Sequence, residues 1–223
     1  MPKLILLRHL KSQWNLENRF AGWTDGPLSK EGMAKAKEIA EKIANMKIDA
    51  VYTSPLIRNT ETVSRIWDYL RDGYPFFIHL DRGKMKDWGH FEETNETNYI
   101  PVYISEALNE RYYGKLQGLN KEETIKKYGK DLVRQWRRGF DQAPPGGESL
   151  KDVVKRVHPF HKKFIENDLK KGNNVLVVAS HNSARAIIKL VEKISDRDII
   201  NIEMPFGGLL EYEFKGGLYK KLN

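Results

Sequence analysis

A chain of 223 residues with 40% apolar side chains is long enough for one α/β core and too apolar to be disordered. It contains no cysteine, which excludes disulfides, cysteine nucleophiles and thiolate metal sites and suits a cytoplasmic protein. The net charge of +8 rests largely on dispersed lysines such as Lys126-Lys127, Lys162-Lys163 and Lys170-Lys171, which mark solvated faces rather than a nucleic-acid stripe.

The chain opens with a short apolar run at residues 4–7, a buried parallel strand by pattern and too short for a signal peptide or membrane span. Ser29 opens a helix whose apolar face is Met33, Ala36, Ala40 and Ile43. Residues 49–53 read as a second strand. Ser54-Pro55 then reads as an N-cap with proline at the first helical position, and Leu56, Thr60, Val63, Trp67 and Leu70 follow at helical period. Residues 76–80 and 101–104 are extended, and the polar stretch 81–99 between them is expected to be a surface insertion.

Short helices are expected at 122–128 and 132–138, with a loop at 143–147. Ser149-Leu150-Lys151-Asp152 resembles a capping box, and its helix carries Leu150, Val153, Val157, Phe160 and Phe164 on one face, with Pro159 placed to kink it. Residues 174–179 are the strongest buried strand, and Asn182 or Ser183 is expected to cap the helix after it. Two strands at 209–214 and 218–222, joined by Gly216-Gly217, close the chain. Strands alternating with helices predict a doubly wound three-layer α/β sandwich with a mostly parallel sheet, as a single domain over 1–223.

In such a sheet ligands gather at the carboxyl ends of the strands, where four clusters fall: Arg8-His9, Ser54 with Arg58, Glu110-Arg111, and Ser180-His181. A neutral imidazole is a competent nucleophile toward a phosphoryl group if cations neutralise the charge, and arginine forks bind phosphate oxygens bidentately. Arg8, Arg58, Arg111, Arg137 and Arg138 are the candidates. Glu110, among them, can move a proton on a substrate hydroxyl; an ion pair with a neighbouring arginine is the plainer expectation. A small anionic substrate accounts for the basic balance of the chain.

Three longer blocks add a resemblance. Leu6-Leu7-Arg8-His9 with Ser12-Gln13-Trp14-Asn15 and Glu17-Asn18-Arg19-Phe20-Ala21-Gly22-Trp23 resembles the opening of the cofactor-dependent phosphoglycerate mutases of the histidine phosphatase superfamily. Asn109-Glu110-Arg111-Tyr112-Tyr113-Gly114 with Leu116-Gln117-Gly118-Leu119-Asn120-Lys121 matches a second block, and Gln135-Trp136-Arg137-Arg138-Gly139 a third. The resemblance implies a phosphoglycerate mutase-like fold and interconversion of 3- and 2-phosphoglycerate, with 2,3-bisphosphoglycerate as phosphoryl primer and no metal. It implies that His9 is phosphorylated, that Glu110 is the general acid/base, and that Arg8, Arg58, Arg137 and Arg138 clamp phosphate and carboxylate. Ser12, Asn15, Ala21, Gly22, Arg111, Tyr112, Tyr113, Lys121, Ser180 and Asn182 would complete the pocket with His181. It leaves a homo-oligomer open and points to no nucleic-acid or membrane partner.

The chain departs from the family at three places. The family's Arg-His-Gly-Glu-Ser is Arg8-His9-Leu10-Lys11-Ser12, so Leu10 is expected to crowd the turn beside the nucleophile. The threonine before the Gly-Trp pair is Ala21. The family's Ala-His-Gly-Asn-Ser is Ala179-Ser180-His181-Asn182-Ser183, which sets Ser180 at the second catalytic histidine; side-chain alternation at a strand end then turns His181 away from the phosphate unless the backbone bulges.

Three functions stay open on the sequence: a mutase, a phosphatase on the same scaffold, favoured by a short segment after Phe214, and a catalytically impaired regulatory protein. His158 and His161 lie three apart on a helix but read as a solvated pair, not a zinc site; His79 and His90 lack partners.

Overall fold

The computed structural model describes residues 1–70, 73–89, 91 and 98–223. In chain order the elements are β1 (Lys3–Arg8), α1 (Gln13–Leu16), α2 (Lys30–Ala34), α3 (Ala36–Ile43), β2 (Ala50–Thr53), α4 (Ile57–Trp67), β3 (Tyr74–His79), α5 (Lys84–Trp88) and β4 (Tyr99–Ile104). They continue with α6 (Lys121–Tyr128), α7 (Lys130–Arg138), α8 (Leu150–Phe160), α9 (Glu166–Lys170), β5 (Val175–Ala179), α10 (His181–Val191), β6 (Leu209–Lys215) and β7 (Leu218–Lys221). Of the stretch expected to be an insertion, residues 84–88 form α5; His90 and residues 92–97 lie outside the described residues.

Among the described residues seven strands form one sheet in the order β3-β4-β2-β5-β1-β6-β7. The pairs from β3 to β1 are parallel; β6 and β7 run antiparallel at one edge. The central strands are apolar on both faces, and their period of two divides them cleanly. Leu4, Leu6, Val175 and Val177 face one layer with Val153, Val157 and Ile187 of α8 and α10. Ile5, Leu7, Leu176 and Val178 face the other with Ile39, Ile43, Val63 and Ile66 of α3 and α4. Each such fully buried aliphatic side chain contributes about 1.5–3 kcal/mol through water release, so the core fixes the register that sets the strand ends level. A third cluster of Phe20, Leu116, Val133 and Trp136 holds α7 beside that rim.

Three local expectations are corrected. The stripe from Ser29 to Ile43 is broken at Lys35 into α2 and α3, with Ser29 capping α2 through the N–H of Gly32. Ser54 does not cap α4, which starts at Ile57 after Leu56; Ser54 is instead buried and accepts from Asn59. Ser180, not Asn182 or Ser183, is the N-cap of α10. The Ser149–Asp152 capping box forms as read, and beyond Pro159 the helix widens into a π turn at His161–Ile165.

Candidate active site

His9 is the first residue past β1, and its N–H donates to the carbonyl of Ala179 at the end of β5 at 3.0 Å. The side chain is buried, and Nδ1 lies 2.6 Å from the Leu10 carbonyl oxygen. A carbonyl only accepts, so Nδ1 carries the proton and Nε2 keeps its lone pair. Burial, and then the charges of Arg58 and Arg8, hold the pKa well below the ordinary histidine value against the opposing pull of that carbonyl. His9 is therefore a neutral imidazole with a free nucleophilic nitrogen. Leu10 does not crowd it. Its N–H donates to Thr62 Oγ1 at 3.0 Å, and its side chain is buried with Ile39 and Leu7 in the second core layer. Its φ is not positive, so this position has no need of glycine.

Two sets of cations share the cavity. Arg58, on α4, donates from Nη1 to the carbonyl of Thr24 at 2.9 Å and from Nη2 to that of Gly22 at 2.6 Å. Gly22 has φ +56°, and a Cβ there would run into the Gln117 side chain, so only glycine lets this carbonyl reach the guanidinium. Arg8 donates to the Met204 carbonyl at 2.6 Å and lies 3.7 Å from the centre of the Phe206 ring. Its pKa is lowered by burial to about 10, which leaves it charged at neutral pH. Arg58 and Arg8 are the two cations acting most on His9. Lys121, Arg137 and Arg138 form the second set; burial and then Arg137 and Arg8 bring Lys121 down to about 8.

Glu110 is 7% exposed and ionised. Burial opposes its charge, yet His181, the Asn182 amide, the N–H of Arg111 and Arg58 together hold its pKa below the usual carboxylate range. Its Oε1 accepts from the N–H of Arg111 at 2.7 Å and from Asn182 Nδ2 at 2.7 Å. The ion pair with a neighbouring arginine expected from spacing is not formed among the described residues; the Arg111 guanidinium donates instead to the carbonyls of Trp136 and Arg137 and to Asn182 Oδ1. Arg185 also donates to Asn182 Oδ1, at 3.0 Å, so two buried arginines orient the amide that orients Glu110.

At the end of β5 the strand alternation does not continue. Ser180 caps a helix there, and the side chain that enters the cavity is that of His181, first residue of α10. Ser180 is fully buried away from the cavity, its Oγ accepting from Asn59 Nδ2 at 3.1 Å. His181 Nε2 lies 3.2 Å from Glu203 and 3.4 Å from Arg138.

Arg8, His9, Asn15, Ala21, Gly22, Arg58, Glu110, Tyr113, Lys121, Arg137, Arg138 and His181 line one cavity of about 260 Å³. Five expected residues do not line it. Ser12 caps α1 and bonds to Asn15; Arg111 and Asn182 stand behind Glu110; Ser180 packs on Asn59; Tyr112 is exposed, with its ring beside Trp23. Asn18, Arg19 and Phe20 also line the cavity; they lay within the first motif block without an assigned part. Glu203 and Phe206 come from the loop before β6 and were missed. Their only signal was a lone carboxylate in the apolar run before Gly207-Gly208.

Elsewhere, His161 is not solvated as expected; it is buried, with Nε2 3.2 Å from Tyr219 Oη, while His158 is exposed. Among the described residues no helix is long and apolar enough to cross a membrane. Among them also, no three of His, Asp and Glu are grouped to hold a metal ion.

A histidine and a carboxylate at the carboxyl ends of a mostly parallel sheet, ringed by arginines, define a histidine phosphatase-type site, and the sequence matches the histidine phosphatase superfamily (branch 1) over residues 4–82 and 88–222. The chain belongs to that superfamily and, within it, to the 2,3-bisphosphoglycerate-dependent phosphoglycerate mutase family. It is 43% identical over 222 residues to the mutase of that name from Methanococcus vannielii, covering 100% of this chain and 94% of the relative. It is 40% identical to that of Chlamydia pneumoniae, covering 99% and 97%. Its fold is shared with more distant solved structures. A mycobacterial glucosyl-3-phosphoglycerate phosphatase has TM-score 0.75 at 19% identity, covering 99% of this chain and 97% of its own. The α-ribazole phosphatase of Shigella flexneri has TM-score 0.74 at 17% identity, covering 99% and 94%.

Proposed function

We propose that this chain is a phosphoglycerate mutase that interconverts 3- and 2-phosphoglycerate through a phosphohistidine at His9. The observation that carries the reading is the neutral His9 with a free Nε2, set beside Arg8 and Arg58 in the same cavity as an ionised Glu110. Relatives at 40–43% identity over nearly the whole chain carry the mutase name, which supports it.

The donor set suits a ligand with several anionic groups, since six cations line the cavity against two carboxylates, Glu110 and Glu203. Arg8, Arg58, Lys121, Arg137 and Arg138 would hold 2,3-bisphosphoglycerate, and that primer supplies the phosphoryl group that loads His9. In the loaded enzyme, Nε2 of His9 bears the phosphoryl group, with Arg8 and Arg58 neutralising the charge on its equatorial oxygens. The 2-hydroxyl of 3-phosphoglycerate attacks phosphorus as its proton passes to Glu110, and the P–N bond breaks with its electron pair returning to Nε2. His9 then takes the phosphoryl group at carbon 3, and the leaving oxygen recovers the proton from Glu110, giving 2-phosphoglycerate and the phosphoenzyme. Glu110 is ionised, the form that the first half needs of a group that accepts a proton. Lys121, Arg137 and Arg138 hold the substrate's other anionic end, and Asn15, Ala21, Gly22 and Tyr113 shape the wall.

Incubation with labelled 2,3-bisphosphoglycerate tests the reading together with conversion of 3- to 2-phosphoglycerate. Acid-labile label with turnover in both directions is the expected result. Label that is released only as inorganic phosphate would assign a phosphatase instead.

A further inference from the structure

Glu203 puts a negative charge in a cavity otherwise built for anions. Its carboxylate pairs with Arg138, and it lies 3.2 Å from Nε2 of His181, itself 3.4 Å from the Arg138 guanidinium. The three groups form a closed triangle at the mouth, with the Glu203 side chain 56% exposed and that of Arg138 23% exposed. Arg138 belongs to the second set of cations, not to the pair that acts most on His9.

The residues after Glu203 are fixed. Met204 is buried in the main core, its carbonyl accepts from Arg8 at 2.6 Å, and the N–H of Gly207 donates to the Arg8 carbonyl at 3.2 Å. The carboxylate itself sits at the solvent edge. It can therefore rotate aside while the backbone behind it stays in place.

We infer that Glu203 is a displaceable internal anion that occupies the subsite for the substrate's second anionic group, and so sets the selectivity between esters with and without that group. This rests on the phosphoglycerate reading above and extends it to what the distal subsite selects. A ligand carboxylate that reaches Arg138 and His181 must replace the Glu203 carboxylate and gains only the difference between two similar ion pairs. A phosphate ester without the second charge leaves Glu203 in place. The carboxyl group is held down to about 2, first by His181 and then by Arg138 against its partial burial, so protonation does not clear the subsite at any working pH; another anion must do so.

Equilibrium binding by calorimetry tests this on the full chain with two ligands, 3-phosphoglycerate and glycerol 3-phosphate, which carries an alcohol in place of the carboxylate. Glu203→Gln removes the charge at an exposed position with little change of shape. The variant should bind 3-phosphoglycerate about threefold to fivefold more tightly, within the range of a solvent-screened ion pair, and glycerol 3-phosphate unchanged to within about twofold. Glu203→Ala, which also removes the residual amide contact, should show the same selective gain. Equal changes for both ligands, or weaker binding of 3-phosphoglycerate, would overturn the inference and make Glu203 a brace for the loop. The readout is binding, so a selective gain supports it even in a chain without mutase turnover, whereas the mutase reading is tested by label on His9 and by turnover.

Discussion

The Nδ1 atom of His9 lies 2.6 Å from the carbonyl oxygen of its own neighbour Leu10. The contact is local and does not depend on a distant partner, so the tautomer is set wherever the β1 end is folded. With burial and two arginines disfavouring the imidazolium, His9 should be unprotonated with hydrogen on Nδ1 at pH 6. A nitrogen-detected NMR titration reads both at once. Protonation of His9 with a midpoint near 6.5 would show that the cations do not reach it.

Glu110 is held by two amides of Asn182 and the N–H of Arg111, without a lysine or arginine ion pair among the described residues. Glu110→Gln keeps the shape and loses the proton acceptor. Mutase turnover should fall by about 10²–10⁴-fold while 3-phosphoglycerate binding changes little. Unaltered turnover would make Glu110 a purely structural residue.

The double change Ser180→His with His181→Gly restores the family's order of residues, yet it should lower phosphoryl transfer. His181 already faces the cavity from the first position of α10, and Ser180 is sealed against Asn59 where a larger ring overpacks the core at a cost of about 1–3 kcal/mol. Rate assays on phosphoenzyme formation decide it: a gain in rate would mean that His181 stands in the wrong place.

Much of the fold was legible because the central strands are apolar on both faces, a pattern that only a sheet covered on two sides explains, as Leu4 to Leu7 and Val175 to Ala179 show. The rim was legible for the same reason: residues just past those strands, His9 and His181, fall at one edge. Side-chain direction was not. Ser180 lies where strand period ends and helix geometry begins, and one residue of difference in that boundary decides which of Ser180 and His181 faces the cavity. Leu10 misled because the family's glycine suggested a backbone need, whereas here φ is ordinary and the core has room for the side chain. Glu203 and Phe206 carry no periodic signal; tertiary contacts through Arg8 and Arg138 bring them in.

His161 provides a separate pH dependence. Burial depresses its pKa from 6.5 to about 4, so below pH 6.5 the unfolded chain takes up a proton that the folded chain refuses. Its contribution to stability is present above 6.5 and is lost as the pH falls to 4, by about 3 kcal/mol at most. Urea unfolding at pH 7 and pH 4.5 should show a smaller acid loss for His161→Gln than for the unaltered chain. Equal losses would place the titration elsewhere.

Phosphorylation of His9 is the claim on which the account turns, and mapping the acid-labile phosphate after exposure to 2,3-bisphosphoglycerate measures it directly. The label should sit on His9, on the nitrogen that Leu10 leaves free, and His9→Ala should remove it entirely. Label at another residue, or undiminished labelling of the His9→Ala chain, would contradict the account.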